Sequence, residues 1–546
     1  VVGPKNVGIR EEIVYRVWSQ MALGTNTYEF FNYLGKLPSP PKPLFVNPYL
    51  EKGYLYETKV PEDMKIWFDE NAGDYCYTYD TKRTLDVSVR KMDKAVCRNY
   101  LDHPLWPACV SLLHKKWGPQ LAVSQMTPSE IIQDMDLTKA PGWLETHRGF
   151  RTKGDCILGG LIDEFMDSTI LKEIPLWKVS GKNEIKETAV YVGEMKQRTF
   201  IIEPMSMLWQ DKKIFGRQNE AIKDFWWSAY GFNPYEGGVS RMADRLLRFK
   251  RYWEWDVKGF DRLFPHMKDV QDLRCESIPD DPFKQWVARN KQISTIVLPN
   301  GDVVEKSWGN NSGSGTTTGD NIIGMSFPII LAFLELGLNE VEIDSIVECF
   351  IFGDDVLGGD NINVSDEVFR EVFVKTFSLF GFEFDPFVIS HSLEGMTFLG
   401  FSLHEIEPRV FVPIYKLPRL CYSFQHALTK GVHIDKELSK MISLMLMSAG
   451  HGEFVYNRFR DAIEFALVRT SHPYVAKLFT KGLEYSLPTF KATLDWYAGN
   501  LEGLKNFEFL RKEVGIKEIL CDVESNESTK ANRETSSSCG VFPCSY

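Results

Sequence analysis

The chain has 546 residues, of which 44% are hydrophobic and 25% charged, with a formal net charge of −11. That length supports several packed subdomains, and the ordinary composition excludes a fibrous or wholly disordered chain. The acidic balance argues against a protein coated in nucleic acid, while allowing a basic channel within an acidic shell.

The aromatic share of 13%, with 37 Phe, 21 Tyr and 14 Trp, reads first as core and only second as base-stacking surface. Ten cysteines without a C-x-x-C pair read as reduced thiols of an intracellular protein. No N-terminal signal peptide is visible. The Val1 start is what a product processed from a longer precursor, or a trimmed chain, would show.

In chain order, "GKLPSPPKPLF" carries Pro38, Pro40, Pro41 and Pro43 and reads as an extended connector. "TKAPGWLETHRGFRTKGD" (138–155) is turn-rich and basic. Residues 172–217 hold nine Lys/Arg against six Asp/Glu, a local positive excess that a solvated surface would explain equally well. "YWEWDV" reads as a short strand ending in an acid. The apolar stretch beginning at Asn321 contains Pro328 and Glu335, and is expected to lie in a buried helix over 317–336 rather than a membrane span. "IVECFIF" is the next strand. "EVFREVFVKTFSLFGF" is a helix stopped at Gly381, and "GMTFLGFSL" with "PRVFVPI" forms a hairpin. The alternation predicts an α+β core. Beyond about 415 the pattern is helical, and the polar residues 521–546 are expected to be disordered.

Three elements carry chemistry. "FGDDVL" puts Asp354 and Asp355 just past a strand, where Gly353 permits a tight turn. Two adjacent acids repel unless a cation or hydrogen bonds compensate. Asp256, with Asp261 five residues on, ends another strand and can meet Asp354 to bridge two magnesium ions. "SGSGTTTGDN" forms a small, polar approach to a helix, with Thr317 and Asn321 on one face. Asp261 and Asn321 supply an acceptor and a donor for a ribose 2′-hydroxyl. Unrelated surface turns are the competing reading of each element taken alone.

In that order, Asp256-x4-Asp261, Ser312-Gly313-x3-Thr317-x3-Asn321 and Gly353-Asp354-Asp355 resemble the polymerases of positive-strand RNA viruses. The group is the one containing picornaviruses, caliciviruses and astroviruses, with the astrovirus-like branch as the expectation. The resemblance is strong over about 250–415, moderate over about 135–220 and weak elsewhere.

It implies an α+β right-hand fold with the palm built on an antiparallel sheet. The N-terminal region and fingers are expected over 1–250, palm over 251–264 and 306–415, a fingers insertion over 265–305, thumb over 416–520 and a tail over 521–546. It implies RNA-templated RNA synthesis with Mg2+, or Mn2+ as a substitute. Asp256 and Asp354 would be the main metal ligands and Asp355 a secondary one. Asp261, Ser312, Thr317 and Asn321 would select the ribose. "EMKQRTFIIEP" resembles the basic strand over the triphosphate, making Arg198 the leading residue there and Lys196 the second. Lys182 and Lys186 are expected to line the nucleotide channel.

"KAPGW", with Lys139 and Gly142, resembles the template-entry loop. Gly313 would approach RNA, and "MTFLG", with Phe398 and Leu399, resembles the primer-grip hairpin. Many relatives carry a proton-donating lysine after the palm's later helix. Here "FGFEFDPFVISHS" has none, leaving His391 or the more distant Lys375. Template and product RNA and ribonucleoside triphosphates are the implied partners, with viral replication proteins or a protein primer besides. The implied setting is the host-cell cytoplasm, at membrane-associated replication complexes through partners. A reverse transcriptase, another two-metal enzyme and a nonenzymatic RNA-binding protein are the competing classes.

Overall fold

A computed structural model describes residues 28–499, apart from 39–41, 45, 47–48, 195–196, 428–433 and 471–486. The expectations for Pro40, Pro41, Lys196 and the 521–546 tail therefore lie outside the described residues.

A four-stranded antiparallel sheet organises the centre, in the order Phe384–Ser390, Arg251–Val257, Asp355–Asp360, Val347–Phe352. Alternation along Arg251–Val257 divides its side chains between two faces. Trp253, Trp255 and Val257 enter one core, and the two indoles stack with centroids 4.7 Å apart. Helices Thr317–Glu335 and Asp366–Ser378 cover that face through Phe333, Phe369, Phe373 and Phe377. Tyr252 points the other way, into a second core shared with the hairpin Phe401–Glu407/Val410–Tyr415 and with helices Ile434–Met447 and Glu453–Thr470. Glu254 and Asp256 share the face of Tyr252 by the same two-residue period. Each side of the sheet thus has its own core, and the acids sit on the side away from the two long helices.

Helix Thr317–Glu335 is long and apolar enough to cross a membrane, but 83% of its apolar window is buried inside the protein. Beyond its polar first turns it is hydrophobic all round, and it serves as a core helix.

A second, mixed sheet has the order Asn32–Lys36, Asp302–Lys306, Ser294–Val297, Leu176–Lys182, Arg198–Ile202, with one parallel pair between Leu176–Lys182 and Ser294–Val297. Its strands come from three distant stretches of chain. Helices Tyr54–Lys59 and Glu62–Asn71 pack against the C-terminal helices, with Phe68 stacked on Phe424 and edge-on to Phe459. The segment after Gly381 is not a loop. It forms Phe384–Ser390, an edge strand that accommodates Pro386 because one side of it has no ladder to complete. The described cysteines are free thiols.

Candidate active site

The turn Gly353–Asp354 joins Val347–Phe352 to Asp355–Asp360, with Phe352 paired to Asp355. Gly353 takes a φ of 71°, as a glycine opening a two-residue hairpin does. Asp354 therefore rides the tip, beside the end of Arg251–Val257, where Asp256 projects. The Asp256 and Asp354 carboxyls lie within hydrogen-bonding reach of each other. Burial, followed by the charge of Asp256, pushes Asp354 up to about 7. Desolvation by the surrounding protein also raises Asp256, although its side chain opens to solvent.

Asp355 turns aside. Its Oδ2 accepts a 2.7 Å bond from the Leu399 amide, and burial raises its carboxyl to about 8. Among the described residues, no three His, Cys, Asp or Glu side chains stand together as a ready-made cage for a metal. Two carboxyls converge and the third is committed to Leu399. Closely placed acids that resist ionisation fit a hard divalent cation with oxygen ligands.

Asp261 lies on the short helix Phe260–Leu263, which begins after Gly259 in the left-handed region at φ 63°. Asn321 Nδ2 donates to Asp261 Oδ1 at 2.5 Å, and Asn310 Nδ2 donates to Asn321 Oδ1 at 2.7 Å. This chain fixes the Asn321 amide and leaves it a second N–H to give. Burial, then the charge of Asp354, raises Asp261 to about 6. A Cβ on Gly353 would lie 3.8 Å from Asn321 Nδ2, so the acidic turn and this polar pair adjoin.

Thr317 Oγ1 bonds to the carbonyls of Asn311 and Ser314, at 2.8 and 3.0 Å, closing the loop into the helix. Ser312 is half-buried. Gly313 bridges to Ile202, where a Cβ would meet the Ile201 carbonyl at 2.4 Å.

Arg198 and Lys182 are cross-strand partners. Arg198 is exposed, and its charge opposes the upward shifts of Asp256, Asp354 and Asp261. Burial and then Arg198 lower Lys182, against the pull of Glu184 and Asp261. Two residues that motif reading missed join this group. Arg262, next to Asp261, interacts with the charges of Asp261 and Asp354. Lys306 is buried at the end of its strand and lowered to about 7, with Asp261 pulling it back up.

Other expected residues stand elsewhere. Lys186 pairs with Glu184 at 3.1 Å, in the ribbon with Tyr75–Tyr77. Lys139 is exposed and 3.5 Å from Asp136. Gly142, at φ 118°, packs where a Cβ would meet Pro204 Cα at 2.8 Å. The Phe398 side chain is buried in the core and presents nothing to RNA, whereas Leu399 is partly buried at the turn.

His391 is not brought to the acids. It follows the end of Phe384–Ser390 that pairs with Tyr252, and its ring nitrogens meet the Lys250 carbonyl at 2.9 Å and Asp366 at 3.1 Å. At about 3.3 Å per residue, the strand separates it from Asp256 by roughly 15 Å. Lys375 is exposed on Asp366–Ser378, the helix covering the opposite face of the sheet from Asp256.

A family model described as viral RNA-dependent RNA polymerase matches residues 172–464, which include Asp256, Asp261, Asp354 and Asp355. The genome polyprotein of Tobacco vein mottling virus is 22% identical over 516 residues, covering 87% of this chain and 16% of that protein. The non-structural polyprotein 1AB of Human astrovirus-1 is 26% identical over 191 residues, covering 33% of this chain and 13% of that protein. The genome polyprotein of Blackberry virus Y is 30% identical over 193 residues, covering 33% and 5%. The chain spans 16% or less of the length of these relatives, and they extend the resemblance to plant viruses beside the expected astroviruses. With the family match covering more than half of its length and an α+β architecture to suit, the chain belongs to the viral RNA-dependent RNA polymerases.

Proposed function

We propose that this chain performs template-directed RNA synthesis, in which a ribose 3′-hydroxyl attacks the α-phosphate of a ribonucleoside triphosphate and pyrophosphate leaves. The observation that carries this reading is the meeting of Asp256 and Asp354 beside the Asp261–Asn321 pair.

Magnesium use is general to such polymerases, and Asp256 and Asp354 are its assigned ligands here. Asp355 would join them on release from Leu399. Bound Mg2+ would lower the pKa of the attacking hydroxyl and neutralise charge on the departing pyrophosphate. Arg198 and Lys182 offset the triphosphate charge from the adjoining sheet, and Lys196 and Lys186 are assigned to the same anion, Lys186 through the Glu184 carboxylate it shares with Arg198. Asp261 accepts from the 2′-hydroxyl, and the free N–H of Asn321 donates to it. Ser312 and Thr317 shape the approach. This polar pair favours a ribonucleotide over the deoxynucleotide that a reverse transcriptase would take.

In this reading the four-stranded sheet is the palm, and the mixed sheet belongs to the fingers, with 265–305 as their insertion. The helices after 416 form the thumb, and the N-terminal region bridges thumb and fingers. Lys139, Gly142 and Gly313 lie along the template path, and the Leu399 turn grips the primer by its backbone. The working partners are template and product RNA, with viral replication proteins or a protein primer. The setting is the host cytoplasm, at membranes through those partners.

RNA-templated primer extension with Mg2+, comparing wild type with Asp354→Asn and ribonucleotides with deoxynucleotides, tests the reading. Ribonucleotide-only extension that disappears in the variant is the expected result. Preferred deoxynucleotide use would transfer the chain to reverse transcription, and undiminished extension by Asp354→Asn would remove the site.

A further inference from the structure

Beneath the loop 312–317 lies a group of buried charges to which neither the metal site nor the nucleotide contacts assign a role. Lys291, from helix Pro282–Gln292, reaches Asp211 of helix Met205–Ile222 at 2.7 Å and Asp320 of helix Thr317–Glu335 at 3.5 Å. Arg274 Nε meets the other oxygen of Asp320 at 2.7 Å. The side chains of Arg274, Asp320 and Asp211 are fully buried, and that of Lys291 is 3% exposed.

Each ion buried this way costs several kcal/mol in desolvation, and a well-packed apolar replacement is often as stable. Stability alone is therefore a weak reason for the cluster. What ions and their hydrogen bonds supply is direction, and here they are directed at three consecutive loop residues. Thr316 Oγ1 donates to Asp320 Oδ2 at 2.7 Å and accepts from Lys291 Nζ. The Gly315 amide donates at 2.9 Å to Glu203, a buried carboxyl that feels the charges of Asp211 and Lys291, and Ser314 Oγ donates to Asp211 at 3.4 Å. A Cβ on Gly315 would stand 2.8 Å from Leu208 and 3.2 Å from Asp211, so the loop rests directly on the cluster. The next residue, Thr317, closes the loop onto the helix, and Asn321 one turn further carries the ribose-facing amide.

We infer that the Lys291–Asp320–Asp211 cluster is a positioning device that holds Ser314–Gly315–Thr316 and thereby sets the enzyme's choice of ribonucleotide over deoxynucleotide. This rests on the ribose-selection reading above. Thr316 is the joint: its hydroxyl is the one loop group shown bonding both Lys291 and Asp320, and its side chain is buried. Removing that hydroxyl while keeping the shape releases the loop and leaves the ions paired with each other.

The test compares wild type, Thr316→Val and Thr316→Ser by two readouts. One is amide hydrogen exchange over 312–317. The other is the ratio of kcat/KM for a ribonucleotide to that for its deoxynucleotide in single-nucleotide extension. Thr316→Val is expected to speed exchange in the loop and to lower the ratio about tenfold, the worth of one buried hydrogen bond. Thr316→Ser, which restores the hydroxyl, is expected to recover both. A role confined to stability would lower the Tm of Thr316→Val and leave both readouts at wild-type values, which would overturn the inference. A ratio unchanged despite faster exchange would overturn it too. Should the wild type extend no RNA, nucleotidyl transfer is what fails, and unchanged loop exchange in Thr316→Val would still refute the positioning role.

Discussion

Asp355 Oδ2 accepts a 2.7 Å hydrogen bond from the backbone N–H of Leu399, tying the acidic hairpin to a turn 44 residues further along the chain. Leu399 has a φ of 50° and Gly400 one of 78°, so the tie ends on a leucine held in the left-handed region. That conformation costs a non-glycine residue about 1–2 kcal/mol and needs an external restraint. Asp355 supplies one. Glu254, on the acid-bearing face of the neighbouring strand, supplies another by accepting from the Thr397 hydroxyl at 2.7 Å. The turn proposed to hold the primer is thereby fastened to the strands proposed to hold the metal.

If Asp355 restrains the turn through its acceptor oxygen, Asp355→Asn keeps the tie and Asp355→Ala loses it. Exchange of the Leu399 amide should quicken by about tenfold in the alanine variant and stay near wild type in the asparagine variant. Equal rates in all three proteins would show that the turn is held by its packing.

The acidic site should also govern stability in metal-free protein. Asp261, Asp354 and Asp355 are raised to about 6, 7 and 8, from an ordinary value of 3.8. Between about pH 4 and these folded values, the native state holds protons that the unfolded chain has released. Their contribution is complete below pH 4 and is lost as the pH climbs through 6, 7 and 8. His266, lowered to about 3 by burial, pulls the other way over the acid range. The diagnostic quantity is therefore the difference in slope between wild type and an Asp354→Asn/Asp355→Asn double variant. Wild-type Tm should fall more steeply from pH 5 to pH 7, and Mg2+ should restore it more at pH 7 than at pH 5. Parallel slopes would contradict the assignment.

Asp354→Asn should separate activity from stability. It removes several kcal/mol of metal-derived assistance, about a 10³-fold loss in extension rate. It also relieves a carboxyl that burial and Asp256 disfavour. The expected outcome is an inactive protein whose Tm at neutral pH equals or exceeds that of wild type. A lowered Tm in calorimetry would mean that the carboxylate is a structural anchor.

Asn321→Ala leaves Asp261 without its 2.5 Å donor and removes one of the two acceptors of the Asn310 amide, which keeps the Thr317 carbonyl. One to two hydrogen bonds to the sugar correspond to about 10–100-fold in discrimination. Single-turnover incorporation should show the ribonucleotide efficiency falling towards the deoxynucleotide value, with RNA binding little changed. An undisturbed ratio would move ribose selection elsewhere.

His391→Ala should leave the extension rate and its pH profile as they are. The ring is committed to Asp366 and the Lys250 carbonyl at the far end of its strand. A lost basic limb in the pH–rate profile would show that the strand moves during the reaction and brings His391 to the pyrophosphate.

The order and spacing of Asp256, Asp261, Thr317, Asn321 and Asp354 were readable in the sequence because each sits on a local signal. These signals are an alternating strand, a glycine turn and the start of an apolar helix. The helix from Thr317 and the strand before Gly353 follow from the same short-range periodicities, whereas the single strand expected over "GMTFLGFSL" is broken by a turn at Leu399–Gly400 into Thr397–Phe398 and Phe401–Glu407, and only the latter pairs with Val410–Tyr415. A partial signal for the buried cluster was present too, since Asp320 is an acid in the first turn of an otherwise apolar helix and must be paired if buried. Its partners Lys291, Arg274 and Asp211 come from other helices, and no local pattern names them.

Side-chain types and their periodicity settle which segments become strands and helices, and which acids stand at their ends. The tertiary structure alone decides that Asp355 turns to Leu399, that Phe398 points inward, and that Pro386 lies in an edge strand. It likewise decides that His391 lies a strand's length from Asp256. The reason is that these outcomes depend on register and packing between segments far apart in the chain. A shift of one residue would reverse which face each side chain takes.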